Sequence, residues 1–398
     1  RLLVTTALVW PSHLVANPTG AVVVGGTASV TGEGSGAVTI NQQSERGIIN
    51  WQDFSIGAGE NVRFNQPSAS SITANRVIGV NPSQILGQMS ATGRVVLINP
   101  NGIVFGSDAI VDSAAFVATT HDFDDNEFMT SFGDLRFDAG PDGGQIVNNG
   151  SLLIRERGLV ALAAPQVINN GVVTARLGSV SLASSAGFSM DLFGDGLLSF
   201  APGDQIATSI GDGSLPLISN DGQITADGGT IVMTAKAAST VINASVNIGG
   251  ILQANSVAQS NGIIHLNAGG HVATSAASSI NAQNGGAVTI EAARASLGGE
   301  INVDGVDGGT VRIDVAGELS NSAAISADGI QDTDIQPTST GGSITITAER
   351  IIENDAASLS ARGNDVGGVI SVEAEQSLLS SGSYDVSASA GSAGRIDM

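Results

Sequence analysis

The sequence predicts an all-β chain wound as a right-handed parallel β-helix, and three observations carry that prediction. First, a phrase close to Gly-x-(Ile/Val)-x-(Ile/Leu/Val/Met)-x-Ala recurs at Gly229–Ala235, Gly262–Ala268, Gly286–Ala292, Gly309–Val315, Gly342–Ala348 and Gly368–Ala374. Successive starts lie 23 to 33 residues apart, a period that belongs to a solenoid. Second, the 398 residues hold 53 Gly and 42 % hydrophobics but only 4 % aromatics. That composition suits a thin core of small aliphatic side chains, stacked coil on coil. Third, the repeats alternate with period two, which assigns sides. Val288, Ile290 and Ala292 point inward against Thr289 and Glu291; Val311, Ile313 and Val315 point inward against Arg312 and Asp314. The charges fall on the outward set. Spacing does not set the hand of the helix; the crossover rule for parallel strands favours right.

The elements follow in chain order. Leu2–Trp10 is apolar and leads to Pro11 and the small residue Ala16, the wording of the tail of a secretory signal peptide over residues 1–16. From about Gly20 to Phe64 short strands such as Ala37–Asn41 and Gly47–Trp51 alternate with Gly- and Ser-containing turns, and form an amino-terminal cap and the first coils. Ser83–Gln88, after Pro82, has the makings of one helical turn. Arg94–Ile98 and Ile103–Phe105 flank Asn99-Pro100-Asn101-Gly102. Pro sets φ near −65° and Asn-Gly supplies the positive φ of a tight reversal, so this reads as strand–turn–strand.

From His121 to Asp138 the pattern breaks. Phe123, Phe128, Phe132 and Phe137 are interleaved with Asp122, Asp124, Asp125, Glu127 and Asp134, which predicts an extra-helical hairpin whose rings cover a flank of the rod. A partner- or ion-binding loop is the alternative. Beyond residue 140 the repeat takes over, as in Gly158–Ala164, Val167–Gly171, Val172–Ala175 and the restart at Gly178. Three short strands per turn, with glycines at the corners for unusual backbone angles, give 14 to 16 coils and a rod on the order of 70 Å at about 4.8 Å per coil. Gln331–Thr340 reads as an insertion. The last repeat stops at Met398 in mid-coil, and an open sheet end of that kind raises the expectation that the native chain continues.

Composition excludes several functions. A net charge of −22 with 15 basic residues argues against nucleic acid and against anionic lipid. Without Cys there are no disulfides, thiolate metal sites or Cys nucleophiles. No apolar run approaches the roughly 18 residues of a membrane helix. Polysaccharide-active enzymes also use this fold, and their hydrolytic chemistry needs Asp residues clustered on adjacent coils. Here Asp124-Asp125 stands alone, Gly270-His271-Val272 lacks a second Gly, and Lys236 is the single lysine. Asp304–Gly309 occurs once, where a calcium-binding nonapeptide needs tandem copies, so it reads as a coil corner. The four histidines, His13, His121, His265 and His271, match no zinc spacing and read as exposed. No cofactor, metal or catalytic group is expected.

Residues from about Gly20 to Thr120 resemble the amino-terminal secretion domain of two-partner secretion exoproteins, the family of filamentous haemagglutinin. The matching wording is Ile40–Ser44, Ile49–Ile56, Phe64–Pro67, Asn75–Gly79, Asn81–Gly87 and Asn99–Ile103, in family order. The family's second short motif, Asn-Pro-Asn-Leu, is absent; Asn81-Pro82-Ser83-Gln84 is nearest. The later repeats are similar to haemagglutinin-type repeats. The resemblance implies a secretion domain over residues 17–140 and β-helix repeats over 141–398. It implies export through the periplasm of a Gram-negative bacterium, recognition by the POTRA domains of a dedicated outer-membrane barrel, and folding outside the cell. It places the secretion and folding motif at Asn75, Arg76, Asn81, Pro82, Asn99, Pro100, Asn101 and Gly102. An adhesin acting on a host or neighbouring-cell glycan or receptor is the expected role. The alternatives are the stalk of a contact-dependent inhibition toxin or haemolysin, and a polysaccharide-active enzyme. The Asn-Pro-Asn-Gly motif acts either as a folding turn or as a direct partner contact.

Overall fold

The computed structural model describes residues 17–131, 133–139, 144–191, 198–199, 206, 215–236, 245–258, 260–330 and 338–398. The expected signal-peptide tail, His13, Phe132 and most of the 331–340 insertion lie outside the described residues. The chain is a parallel β-helix. One face is a 14-stranded sheet, parallel throughout except that Ala28–Thr31 pairs antiparallel with Ala37–Gln42. At about 4.8 Å per rung the stack is about 60 Å long. The antiparallel strands Val22–Gly25 and Ala28–Thr31 close its amino-terminal end.

The other two ladders are built in different ways along the rod. In the amino-terminal half they are separate short strands, as in Arg94–Ile98 on one ladder and Ile103–Phe105 on the other. From Ile263–Thr274 to Val369–Ser380 each coil runs the two together as one strand of 11 or 12 residues, with an irregularity at the corner, as between Ala292 and Ala295. Among the described residues a continuous apolar core runs from Val38 to Val372. Val288, Ile290, Val311, Ile313 and Val315 lie in it as the alternation requires, while Arg312 is exposed.

Two expectations change here. Ser83–Ile85 is a strand, not a helical turn; it pairs with Ile103–Phe105 in the parallel ladder, and that pairing outweighs any local helical preference. The corner glycines divide: Gly228, Gly285 and Gly299 have positive φ, at +69°, +79° and +73°, whereas Gly178 and Gly342 do not. For these last two the reason is close approach: a Cβ at Gly178 would lie 2.1 Å from the carbonyl oxygen of Gly158, and one at Gly342 the same distance from that of Gly309.

The outward face of one ladder changes character along its length. One register column runs Ile48, Ala74, Val96, Val117, Ala161, Ser181, Val232, His265, Thr289, Arg312, Thr345 and Ser371. Its first five members are apolar and buried, although they point away from the core. What buries them is a separate four-stranded antiparallel sheet made of His121–Asp122, Leu135–Ala139, Gly187–Met190 and Leu198–Ser199.

Candidate functional site

The flank sheet is the expected extra-helical element, but it is more than a hairpin. A helix, Asp125–Thr130, lies between its first two strands, with the Asp124 carboxylate accepting from the Glu127 amide at 2.9 Å. Phe128 points from this helix onto Phe123 in a stacked pair at 4.7 Å; Phe123 meets Phe137 edge-on at 5.6 Å. Phe137 stacks at 4.6 Å on Phe188, which comes from Gly187–Met190, a strand that sequence reasoning missed. Together with Leu135 and Met190 these rings form a second apolar cluster on Ile48, Ile72, Ala74, Val96, Ile98 and Val117.

Arg76, one of the residues that the resemblance marks, fastens this layer. It sits on Ile72–Val77 with its side chain turned outward and 12 % exposed. Its Nε donates to Asp122 at 2.8 Å, its Nη2 reaches Asp125 at 2.6 Å and the Phe123 carbonyl at 3.2 Å, and its guanidinium lies 5.1 Å from the Phe123 ring centroid. Burial works against its charge, yet the hydrogen bonds and charges of Asp125 and Asp122 more than offset that and raise its pKa. Arg46 adds a second fastening, from Nη1 to the Phe128 carbonyl at 2.6 Å. Asn75, next to Arg76 but facing inward, is fully buried and accepts the Trp51 indole N–H at 3.0 Å.

The Asn-Pro-Asn-Gly segment is a β-turn, with the Gly102 amide donating to the Asn99 carbonyl at 3.0 Å and Gly102 at φ +110°. It is not a reversal. Arg94–Ile98 and Ile103–Phe105 belong to different ladders, so the turn is a coil corner between consecutive sides of the helix. Asn99 is 0 % exposed. Its Nδ2 donates to the Asn81 carbonyl and to Ser83 Oγ, both at 3.0 Å, and its Oδ1 accepts from the Asn101 amide at 3.0 Å. Asn101 Nδ2 reaches the Gly79 carbonyl at 3.0 Å. Above, the Pro100 carbonyl accepts from Gly144 N at 3.2 Å. Thus one corner fastens the coil below, at 79–83, and the coil above, at 144. Asn81 and Pro82 are exposed in that lower coil, while Pro100 and Asn101 are half-buried. The motif residues therefore form two groups: Asn81, Pro82 and Asn99–Gly102 at one corner, Asn75 and Arg76 under the flank.

His121 is not exposed: it is fully buried, with Nε2 3.0 Å from the Ser185 carbonyl, because the flank covers the polar stretch in which it stands. His265 does face outward, 3.7 Å from Glu291. Asp304 stands at a coil corner, accepting from Ser326 Oγ and the Asp328 amide. A cleft of about 650 Å³ runs beside the flank and is lined by Arg94, Arg155 and Leu159 among others. Arg155 is engaged there with the Thr92 and Ala91 carbonyls. Among the described residues no group of three acidic or His side chains is arranged to hold a metal ion, and no helix is long and apolar enough to cross a membrane.

A model of the TPS secretion domain matches residues 15–268, a span that contains both the motif corner and the flank. The chain belongs to the two-partner secretion family. A heme/hemopexin-binding protein of Haemophilus influenzae is 34 % identical over 256 residues, 63 % of this chain and 27 % of that protein. Another protein of that description from the same species is 39 % identical over 99 residues, 25 % of this chain and 11 % of its own. The chain thus spans about a quarter or less of the curated relatives it matches. The HMW1 secretion domain from Haemophilus influenzae superposes with a TM-score of 0.77 at 25 % identity, covering 96 % of this chain and 100 % of that one. The two-partner secretion domain is accordingly the secretion domain of an exoprotein, carried across a Gram-negative outer membrane by a dedicated transporter and secreted or displayed at the cell surface.

Proposed function

We propose that this chain is the non-enzymatic secretion module of a surface-acting exoprotein of the adhesin type. It is recognised in the periplasm by the POTRA domains of its transporter, and its Asn-Pro-Asn-Gly corner acts through folding. The observation that supports the folding role is Asn99, fully buried and bonded to Asn81, Ser83 and Asn101. A side chain so enclosed offers a partner little, but it joins two coils of the emerging rod. The test is export with the transporter present, measured as protein in the medium against protein in the periplasm, for Asn99→Ala and Asn101→Lys. Both variants are expected to lower export, and Asn99→Ala also to lower the stability of the purified chain. Unchanged export in both would remove the motif from the account; lowered export of Asn99→Ala at full stability would favour direct contact.

A second reading of the surface role comes from the relative described as heme/hemopexin-binding. On it, the longer exoprotein engages heme or its carrier protein in place of a cell-surface glycan. Binding of the exoprotein to immobilised hemopexin, set against agglutination of erythrocytes, separates the two.

A further inference from the structure

We propose that the flank is a strap that closes separately from the coils, latched at His121, and that mild acid releases it while the coils beneath stay wound. The described strap comprises residues 121–131 and 133–139 with Gly187–Met190 and Leu198–Ser199, and its described strands pair only with one another. Side chains hold it to the rod. Arg46 reaches 82 residues forward to Phe128, Arg76 reaches 46 to Asp122, and His121 meets Ser185 across 64. A layer held in this way can open without unpairing the parallel ladders.

His121 stands at the seam. The Ser185 carbonyl is an acceptor only, so Nε2 carries the proton there. Nδ1 lies 3.3 Å from the Thr119 hydroxyl, which donates to it, and the ring meets Phe188 edge-on at 5.5 Å. A second proton would place a charge at a fully buried position. The groups facing the ring are the backbone of Ser185 and Ala163 on the coil side, which favour a positive ring by hydrogen bonding, with Arg136 and Asp138 on the strap; Arg136 opposes a positive ring and Asp138 favours it. Burial is the largest influence and holds the imidazole below its ordinary value.

The sign follows from linkage. With the strap open the ring is solvated and takes its proton near about 6.5; with the strap closed it does so only at lower pH. The closed form therefore has its full advantage above about pH 6.5 and loses it as pH falls toward the closed-state value. The exposed surface would be the apolar column at Ile48, Ala74, Val96 and Val117.

The test uses the whole chain at pH 7.5 and 5.0, with anilinonaphthalene sulfonate as the probe, limited proteolysis, and far-ultraviolet circular dichroism in parallel. The expected result is a several-fold rise in dye fluorescence and new cleavage within residues 121–139 at pH 5.0, with the β spectrum unchanged. His121→Gln should show no such step between the two pH values. Proton NMR of the His121 ring in the unaltered chain should titrate at the midpoint of the dye transition, which keeps the test decisive if His121→Gln is open throughout. No dye rise at pH 5.0, an equal step in His121→Gln, a ring titration away from the dye midpoint, or loss of the β spectrum with the rise would each overturn the proposal.

Discussion

The same register column is apolar at one end of the rod and polar at the other. Val96 and Thr289 occupy equivalent outward positions of one ladder, several rungs apart. Around Val96 the strand reads Val-Val-Leu-Ile, with both faces buried; around Thr289 it reads Val-Thr-Ile-Glu, with one face wet. The coil geometry is shared, so the difference lies in what covers the sheet. In the amino-terminal half a second layer does so, and a strand buried on both faces reads as a continuous apolar run. In the carboxy-terminal half water does, and the outward set carries Arg312, Asp314 and Glu291. The two halves share a core and differ in how many layers they need.

Substitutions can break this comparison. Val96→Asp puts an unpaired charge under the flank and should cost on the order of 4 kcal/mol. Thr289→Asp, at the equivalent position, should stay within about 0.5 kcal/mol. Denaturant unfolding of both variants checks the pair; equal costs would mean that the flank does not distinguish the halves. Asn99→Ala leaves the Asn81 carbonyl, Ser83 Oγ and the Asn101 amide without their partner and should cost about 2–3 kcal/mol. Gly178→Ala should cost about 2 kcal/mol, because its Cβ must displace the Gly158 carbonyl; a smaller cost, read as a shift in urea midpoint, would mean that the coils can separate. Arg76→Ala should cost about 1–2 kcal/mol, discounted because Asp122 and Asp125 are 41 % and 49 % exposed. Its effect should appear as faster amide exchange in 121–139 and not in the coils beyond residue 263.

Much of this was legible in the sequence. The inward alternation at Val288, Ile290, Val311 and Ile313 follows directly from a period of two, and the Phe-rich segment after His121 is conspicuous in a chain so poor in rings. Phe188 was not legible. It stands in Ser-Ala-Gly-Phe-Ser-Met, without a turn or charge signature, and its partner Phe137 is 51 residues away. The signal that could have found the covered face is Leu159–Ala164, six apolar residues in a row that one-sided burial does not explain. His121 was misread for a related reason: Thr119, Thr120 and Asp122 make its neighbourhood polar, and its burial comes from a layer supplied elsewhere in the chain. For Arg76, the family wording marked the position, but Asp122 and Asp125 lie too far along the chain for any local rule to join them.

The most direct test of the two-layer account is dye binding to a chain in which Asp122–Asp138 is replaced by a short Gly-Ser linker, with circular dichroism in parallel. The account predicts a retained β spectrum and a large rise in anilinonaphthalene sulfonate fluorescence, as the apolar face from Ile48 to Ala161 meets water. A chain that binds no more dye than the original, or one that loses its β spectrum with the flank, would contradict it.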